Sequence, residues 1–135
     1  MQATILGFDP GRDKCGLAVM GENFQLYYHQ TVPAQSAIAT IESLLQKLPI
    51  SVIVMGDRTT AKQWRSQLEE ACSRLPIFMV DEHNSTLEAR DRYWQMYPPT
   101  GLSRLIPQGM RQPPRAIDDI VAILLIERYL DAGNG

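Results

Sequence analysis

The sequence predicts an α/β protein: a five-stranded mixed sheet, three antiparallel strands then two parallel ones, with helices on both faces. Three observations predict it. Before Pro33, short apolar runs alternate with turn residues and leave no room for a helix. Two later runs, Ile50 to Met55 and Ile77 to Val80, are almost continuously apolar, as in strands covered on both faces. Helical periodicity precedes and follows each of them, and strands joined through helices pair in parallel with a right-handed crossover.

Taken in order, Ile5 to Phe8 reads as the first strand, ending abruptly at Asp9-Pro10-Gly11. Leu17-Ala18-Val19 continues as the second strand. Gly21-Glu22-Asn23 turns the chain into a third strand, Phe24 to Val32, which carries His29 as a partly exposed residue. Ser36 to Leu48 is helical, with Ile38, Ile41, Leu44, Leu45 and Leu48 at spacings of three and four. The fourth strand ends at Gly56-Asp57-Arg58. Ala61 to Leu75 is a second helix. The fifth strand runs into Asp81-Glu82-His83-Asn84. Asn84 or Ser85 can cap the next helix, with Glu88 at the capping-box spacing from Ser85. That helix runs to about Met96. Residues 98–115 form a long proline- and arginine-containing loop, and such loops in compact domains are usually functional or disordered. An amphipathic helix closes the chain, carrying Ile117, Ile120, Val121, Leu124, Leu125 and Tyr129 and opening with Asp118-Asp119.

At 135 residues, 44% hydrophobic and 21% charged, the chain suits one folded domain, taken as residues 1–135. The net charge of −2 does not mark a nucleic-acid binder, so any such binding rests on local basic groups. Cys15 and Cys72 stand in no metal or redox spacing and read as free thiols of a reducing compartment. No apolar run approaches the roughly 20 residues that span a bilayer. A cytoplasmic protein, monomer or homodimer, with no membrane partner is expected.

Acids collect at the strand ends: Asp9, Asp57 and Asp81-Glu82, with Asp118-Asp119 opening the last helix. Each has an ordinary explanation. Asp9-Pro10-Gly11 is turn chemistry, Asp57 and Asp81 suit caps, and Asp118 and Asp119 suit a helix's first turn. Together they leave unexplained why so many strand ends carry acid. Parallel strands bring their carboxyl-terminal tips to one edge, where the crevice of an open α/β sheet lies. Carboxylates gathered there repel and raise each other's pKa. A hard divalent cation, Mg²⁺ or Mn²⁺, removes that penalty. Two such ions position an attacking water and stabilise a phosphodiester's leaving oxygen. The candidate ligands are Asp9, Asp57, Glu82, Asp118 and Asp119.

Three segments carry a family resemblance. Asp9-Pro10-Gly11 with Gly16-Leu17-Ala18-Val19 resembles the first strand turn of the YqgF/RuvX family, RNase H-like proteins related to the RuvC Holliday-junction resolvases. Asp81-Glu82-His83-Asn84-Ser85-Thr86-Leu87-Glu88-Ala89 resembles the family's Asp-Glu-Arg-x-(Ser/Thr)-Thr-x-Glu-Ala segment, with His83 in place of Arg. Residues 117–130 resemble its last helix. The resemblance implies an RNase H-like fold and a divalent-metal nuclease. It also implies maturation of pre-16S ribosomal RNA or processing of branched DNA, with Asp9, Glu82 and Asp118 as the catalytic acids. The family usually carries Gly-x-Pro after the fourth strand, where this chain reads Gly56-Asp57-Arg58. The resemblance to the related resolvases, which place an acid near the end of that strand, implies that Asp57 can replace or supplement Glu82.

Substrate phosphates would be met by Arg12 and Lys14 beside Asp9, by Arg58, and by Arg104, Arg111 and Arg115 of the acid-free segment 97–115. Tyr93, Trp94 and Tyr97 can stack on bases or pack inward; packing is preferred for Trp94. Two other functions compete. One is a non-catalytic nucleic-acid or ribosome-assembly binding module, which has no need of Asp9, Glu82 and Asp118 together. The other is a nucleotide-binding protein, since actin-like ATPases open with a similar Gly-x-Asp-x-Gly hairpin, but those need two such domains.

Overall fold

Strand β1 (Thr4–Asp9) is buried along its whole length and forms the centre of the sheet. The computed structural model describes residues 3–58, 60–72 and 74–134. On one side β1 pairs antiparallel with β2 (Lys14–Gly21), which pairs antiparallel with β3 (Leu26–Pro33). On the other side it pairs parallel with β4 (Ile50–Gly56), which pairs parallel with β5 (Ile77–Val80). The order β3-β2-β1-β4-β5 is the five-stranded mixed sheet expected from the apolar runs.

Helices α1 (Ala37–Lys47) and α2 (Ala61–Ala71) cover one face, burying Ile41, Leu44 and Leu68 against Leu6, Phe8 and Ile53. Helices α3 (Ser85–Met96) and α4 (Asp118–Tyr129) cover the other, where Ile120 to Ile126 meet Ile5, Ala18 and Val54. Alternate residues of each strand feed the two cores, the period-two rule of a sheet covered on both faces.

Four local expectations change. The second strand extends well beyond Leu17-Ala18-Val19, because its polar start still pairs with β1 and β3. Helix α2 stops at Ala71, short of Leu75. No side-chain cap opens α3: Asn84 takes a left-handed φ of 58°, and the Glu88 carboxylate goes to Arg128 instead. Helix α4 is not amphipathic. Ala122, Ile123 and Ile126 are buried as well as the predicted stripe, since the sheet lies beneath it and α3 packs alongside. The long loop holds two short 3-10 turns, Gly101–Leu105 and Gln108–Met110. Both cysteines are free and buried.

Candidate active site

Asp9 is the last residue of β1 and only 5% exposed. In the antiparallel register it faces Gly16 of β2. A Cβ on Gly16 would lie 1.8 Å from the Asp118 carbonyl oxygen. A side chain is therefore excluded there, and the first turn of α4 rests directly on the strand beside Asp9. Glu82, two residues past β5, is also 5% exposed. It folds back over the end of β4, where a Cβ on Gly56 would meet its Oε2 at 2.0 Å. Gly16 near the start of β2 thus admits Asp118, and Gly56 at the end of β4 admits Glu82. In the sequence Gly16 and Gly56 stand out only as motif and turn residues, because the close approach that requires them is tertiary.

Asp9, Glu82 and Asp118 form one electrostatic cluster. Burial, a contact with the Glu82 carboxyl group, and the charges of Glu82 and Asp118 push the Asp9 pKa from 3.8 to about 9, against a lowering pull from Arg58. Burial also raises Asp118, reinforced by Asp119 and opposed by its own backbone, Lys14 and Arg58. Among the described residues Asp9 Oδ1 and both Glu82 carboxylate oxygens are buried without a hydrogen-bond donor. The Arg58 guanidinium approaches Glu82 at 3.4 Å, too long for a strong bond, and its outer nitrogen reaches toward Ser85 and Thr86 at 3.5 and 3.4 Å.

Two further predicted acids stand outside this cluster. Asp57 is exposed, and its Oδ1 accepts a long 3.4 Å contact from the Glu82 backbone N–H, so it steadies the Glu82 loop. Thr60, ahead of α2, makes no side-chain cap, and Thr59 lies outside the described residues. Asp119 is 2% exposed and turned toward β3. Its Oδ2 lies 2.6 Å from His29 Nδ1, and its Oδ1 accepts from Thr31 Oγ1 at 3.2 Å and Arg115 Nη1 at 2.9 Å. Burial opposes its ionisation, but the hydrogen bonds from Arg115 and His29 prevail, and Asp119 titrates below the ordinary carboxylate range. His29, which nothing nearby in sequence accompanies, finds its partner 90 positions away.

The basic residues divide likewise. Arg12 and Lys14 are exposed in the turn after β1 and at the start of β2. Arg111 Nε is committed to the loop carbonyls of Ser103 and Ile106, and its guanidinium lies over Trp94 at 5.7 Å. Arg104 is exposed and bends toward the Gly101 carbonyl. Arg115 holds Asp119 and lies over Tyr93 and Tyr97. Tyr93 is buried, while Tyr97 is 40% exposed.

Among the described residues no three His, Cys, Asp or Glu side chains are arranged so as to hold a metal ion. The chemistry of the cluster nevertheless fits a hard divalent cation. Its donors are carboxylate oxygens, three of them buried without a hydrogen-bond partner, and burial together with neighbouring acids raises the Asp9 pKa.

Comparison with known proteins agrees with this architecture. A structure of Thermus thermophilus RuvC in complex with Holliday junction substrate superposes with a TM-score of 0.63 at 16% identity, over 98% of both chains. A second T. thermophilus RuvC structure gives 0.56 at 13% identity, over 96% of both. The fold is therefore that of RuvC, RNase H-like. Two relatives carry the name "Putative pre-16S rRNA nuclease". One, from Xanthomonas oryzae pv. oryzae (strain PXO99A), is 26% identical, over 96% of this chain and 88% of the relative. The other, from Mesomycoplasma hyopneumoniae (strain 7448), is 22% identical, over 97% and 96%. The family described as RuvX, Holliday junction resolvase, matches residues 3–132, and the chain belongs to that family.

Proposed function

We propose that the chain is a divalent-metal endonuclease of structured nucleic acid, acting in the cytoplasm on a ribosomal RNA precursor or a branched DNA. One observation carries the reading: Asp9 and Glu82 are buried against each other with oxygens that no donor satisfies. A buried carboxylate pair without hydrogen-bond donors, offset only by one long ion pair to Arg58, is destabilising, and a binding module would have no use for it. The family and the names of the relatives point the same way.

In this reading Asp9, Glu82 and Asp118 hold Mg²⁺ or Mn²⁺. The bound ions supply an activated water and charge stabilisation for the leaving oxygen. The chain's own residues do the rest. Asp9 gives up its proton on loading, so loading is favoured as pH rises toward about 9. Arg58 lies at the mouth of the site, close enough to Glu82 to restrain its carboxylate while its exposed face meets substrate phosphate. Arg12 and Lys14 extend that positive rim past Asp9. Asp57 and the Gly56 backbone fix the path of Glu82.

The test is cleavage of a precursor rRNA fragment and of a four-way DNA junction in Mg²⁺ or Mn²⁺, beside Asp9→Asn. Cleavage of one substrate is expected, abolished by chelation and reduced by roughly 10³-fold or more in Asp9→Asn, the loss of several kcal/mol of charge stabilisation. If both substrates stay whole in both metals, the nuclease reading fails and the binding module takes its place.

A further inference from the structure

A second feature opens beside the first turn of α4. It is a cleft of ≈ 670 Å³ lined in part by Lys14, His29, Gln30, Tyr97, Arg115 and Asp119. Its floor is already complete. Asp119 is satisfied by His29, Thr31 and Arg115, and the Tyr97 hydroxyl lies 3.3 Å from His29 Nε2. A cation would find no spare oxygen on Asp119, and the cleft's other acid, Asp13, stands alone and exposed at the rim beside Lys14. A polyanion would find Arg115 already paired, with Lys14 at the rim making no ion pair among the described residues.

What remains is flat, mixed chemistry. Tyr97 presents a part-exposed aromatic ring, and Arg115 lies 5.7 Å over it as a second planar group. Gln30 offers an amide donor and acceptor, and Val32 and Pro33 make an apolar wall. Such a surface suits one nucleobase, stacked on an aromatic plane and bonded at its edge, with one phosphate at Lys14. The volume falls in the range of small-ligand pockets.

The place is also apt. Asp9, Gly16 and Thr31 are in register across β1, β2 and β3. Two strand spacings, about 10 Å, therefore separate the backbone of Asp9 from the cleft wall. Lys14 lines the cleft and also acts electrostatically on Asp118. A strand whose phosphate lies at Asp9 reaches the cleft with its next one or two nucleotides.

We infer that this cleft binds an unpaired nucleotide of the substrate adjoining the phosphate held at Asp9, with Tyr97 and Arg115 as its stacking surfaces. The inference rests on the nuclease reading for its substrate, but its test needs no cleavage. The full chain carrying Asp9→Asn is titrated with a blunt duplex and with the same duplex bearing a short unpaired extension. The extension carries a fluorescent purine analogue, and each probe is prepared as RNA and as DNA. With at least one of the two nucleic acids, the extension tightens binding and its fluorescence is quenched. Tyr97→Ala in that background lowers the ratio of extended to blunt affinity by about five- to a hundred-fold, the range for one stacked base, and Tyr97→Phe restores it. The inference is overturned if, for both nucleic acids, the extension adds no affinity. It is equally overturned if Tyr97→Ala, folded by circular dichroism, leaves the ratio unchanged. The nuclease reading fails separately, on the unsubstituted chain leaving both substrates whole.

Discussion

Asp118 and Asp119 are consecutive residues on one helical turn, yet they enter opposite chemistry. Asp118 joins Asp9 and Glu82, where burial and like charge raise the pKa of Asp9 and Asp118 and three oxygens of Asp9 and Glu82 lack donors. Asp119 joins His29, Thr31 and Arg115, where every oxygen is met and its pKa falls. The two groups differ little in burial: Asp9 and Glu82 are as thoroughly enclosed as Asp119. The difference is in partners. An enclosed acid with its donors in place rigidifies a fold, whereas enclosed acids facing one another store a need for positive charge.

That contrast is broken most severely by neutralising one member of each group. Asp119→Asn removes the charge and one of the two oxygens that accept from Arg115, His29 and Thr31, and turns an NH2 donor toward the others. A fully enclosed pair loses about 3–5 kcal/mol when one partner is removed. Arg115 is 39% exposed, so we expect about 2–3 kcal/mol of lost stability by denaturant unfolding. Asp9→Asn acts in the other direction. Its pKa is raised in the folded state, so its contribution to stability is full at acid pH and is lost as pH climbs toward about 9. In chelator at pH 8, Asp9→Asn should be more stable than the parent chain by about 1–3 kcal/mol, and near pH 4 the two should coincide. Mg²⁺ should close the gap by stabilising the parent alone. Loss of stability in Asp9→Asn at pH 8 would mean that the two clusters do not differ as described.

How much of this was legible in the text differs between the same two groups. The strand-end acids could be placed together because apolar runs and helical periods set the strand order, and strand order sets which ends share an edge. The choice of Asp9, Glu82 and Asp118 among them came from the family resemblance, not from the pattern. The Asp119 cluster was not legible, because His29 on β3 and Asp119 on α4 meet only through tertiary packing, and a lone histidine in a strand carries no periodic signal. Arg111 and Arg115 looked like phosphate ligands for the same reason. Their engagement with loop carbonyls and with Asp119 is invisible until the loop is folded. The capping box failed because Glu88 had a stronger partner from another helix.

The glycines that admit the two acids give a finer test. Gly16→Ala would drive its Cβ into the Asp118 backbone, which has no rotamer to escape through, so α4 must shift. We expect about 1–3 kcal/mol of destabilisation together with a loss of cleavage. Gly56→Ala meets the end of the Glu82 side chain instead, which can swing away. It should cost less stability than Gly16→Ala but still reduce cleavage, by about a hundred-fold for a ligand displaced by an ångström. Equal losses of stability in the two variants would contradict a flexible Glu82.

The smallest effect is expected at Arg128, near the far end of α4 from both clusters. Its guanidinium donates to the carbonyls of Asp81 and His83 at 2.6 and 2.7 Å and to Glu88 Oε2 at 3.1 Å. It therefore grips the backbone on both sides of Glu82 without touching the carboxylate. Asp57 holds the intervening N–H only loosely, so Arg128 is the firmer anchor of the loop. The carbonyls it releases face water, and Arg128→Ala should destabilise by only about 0.5–1.5 kcal/mol. Its mark should fall on the Asp9 cluster instead: the divalent-cation concentration for half-maximal cleavage should rise, with the thermal midpoint nearly unchanged. Arg128→Lys keeps the charge but not the fork that spans two carbonyls, and should recover only part of the effect. If Arg128→Ala lowered stability and left the cation dependence alone, Glu82 would owe its position to Gly56 and β5, and the helix carrying both acidic groups would serve the first of them only through Asp118.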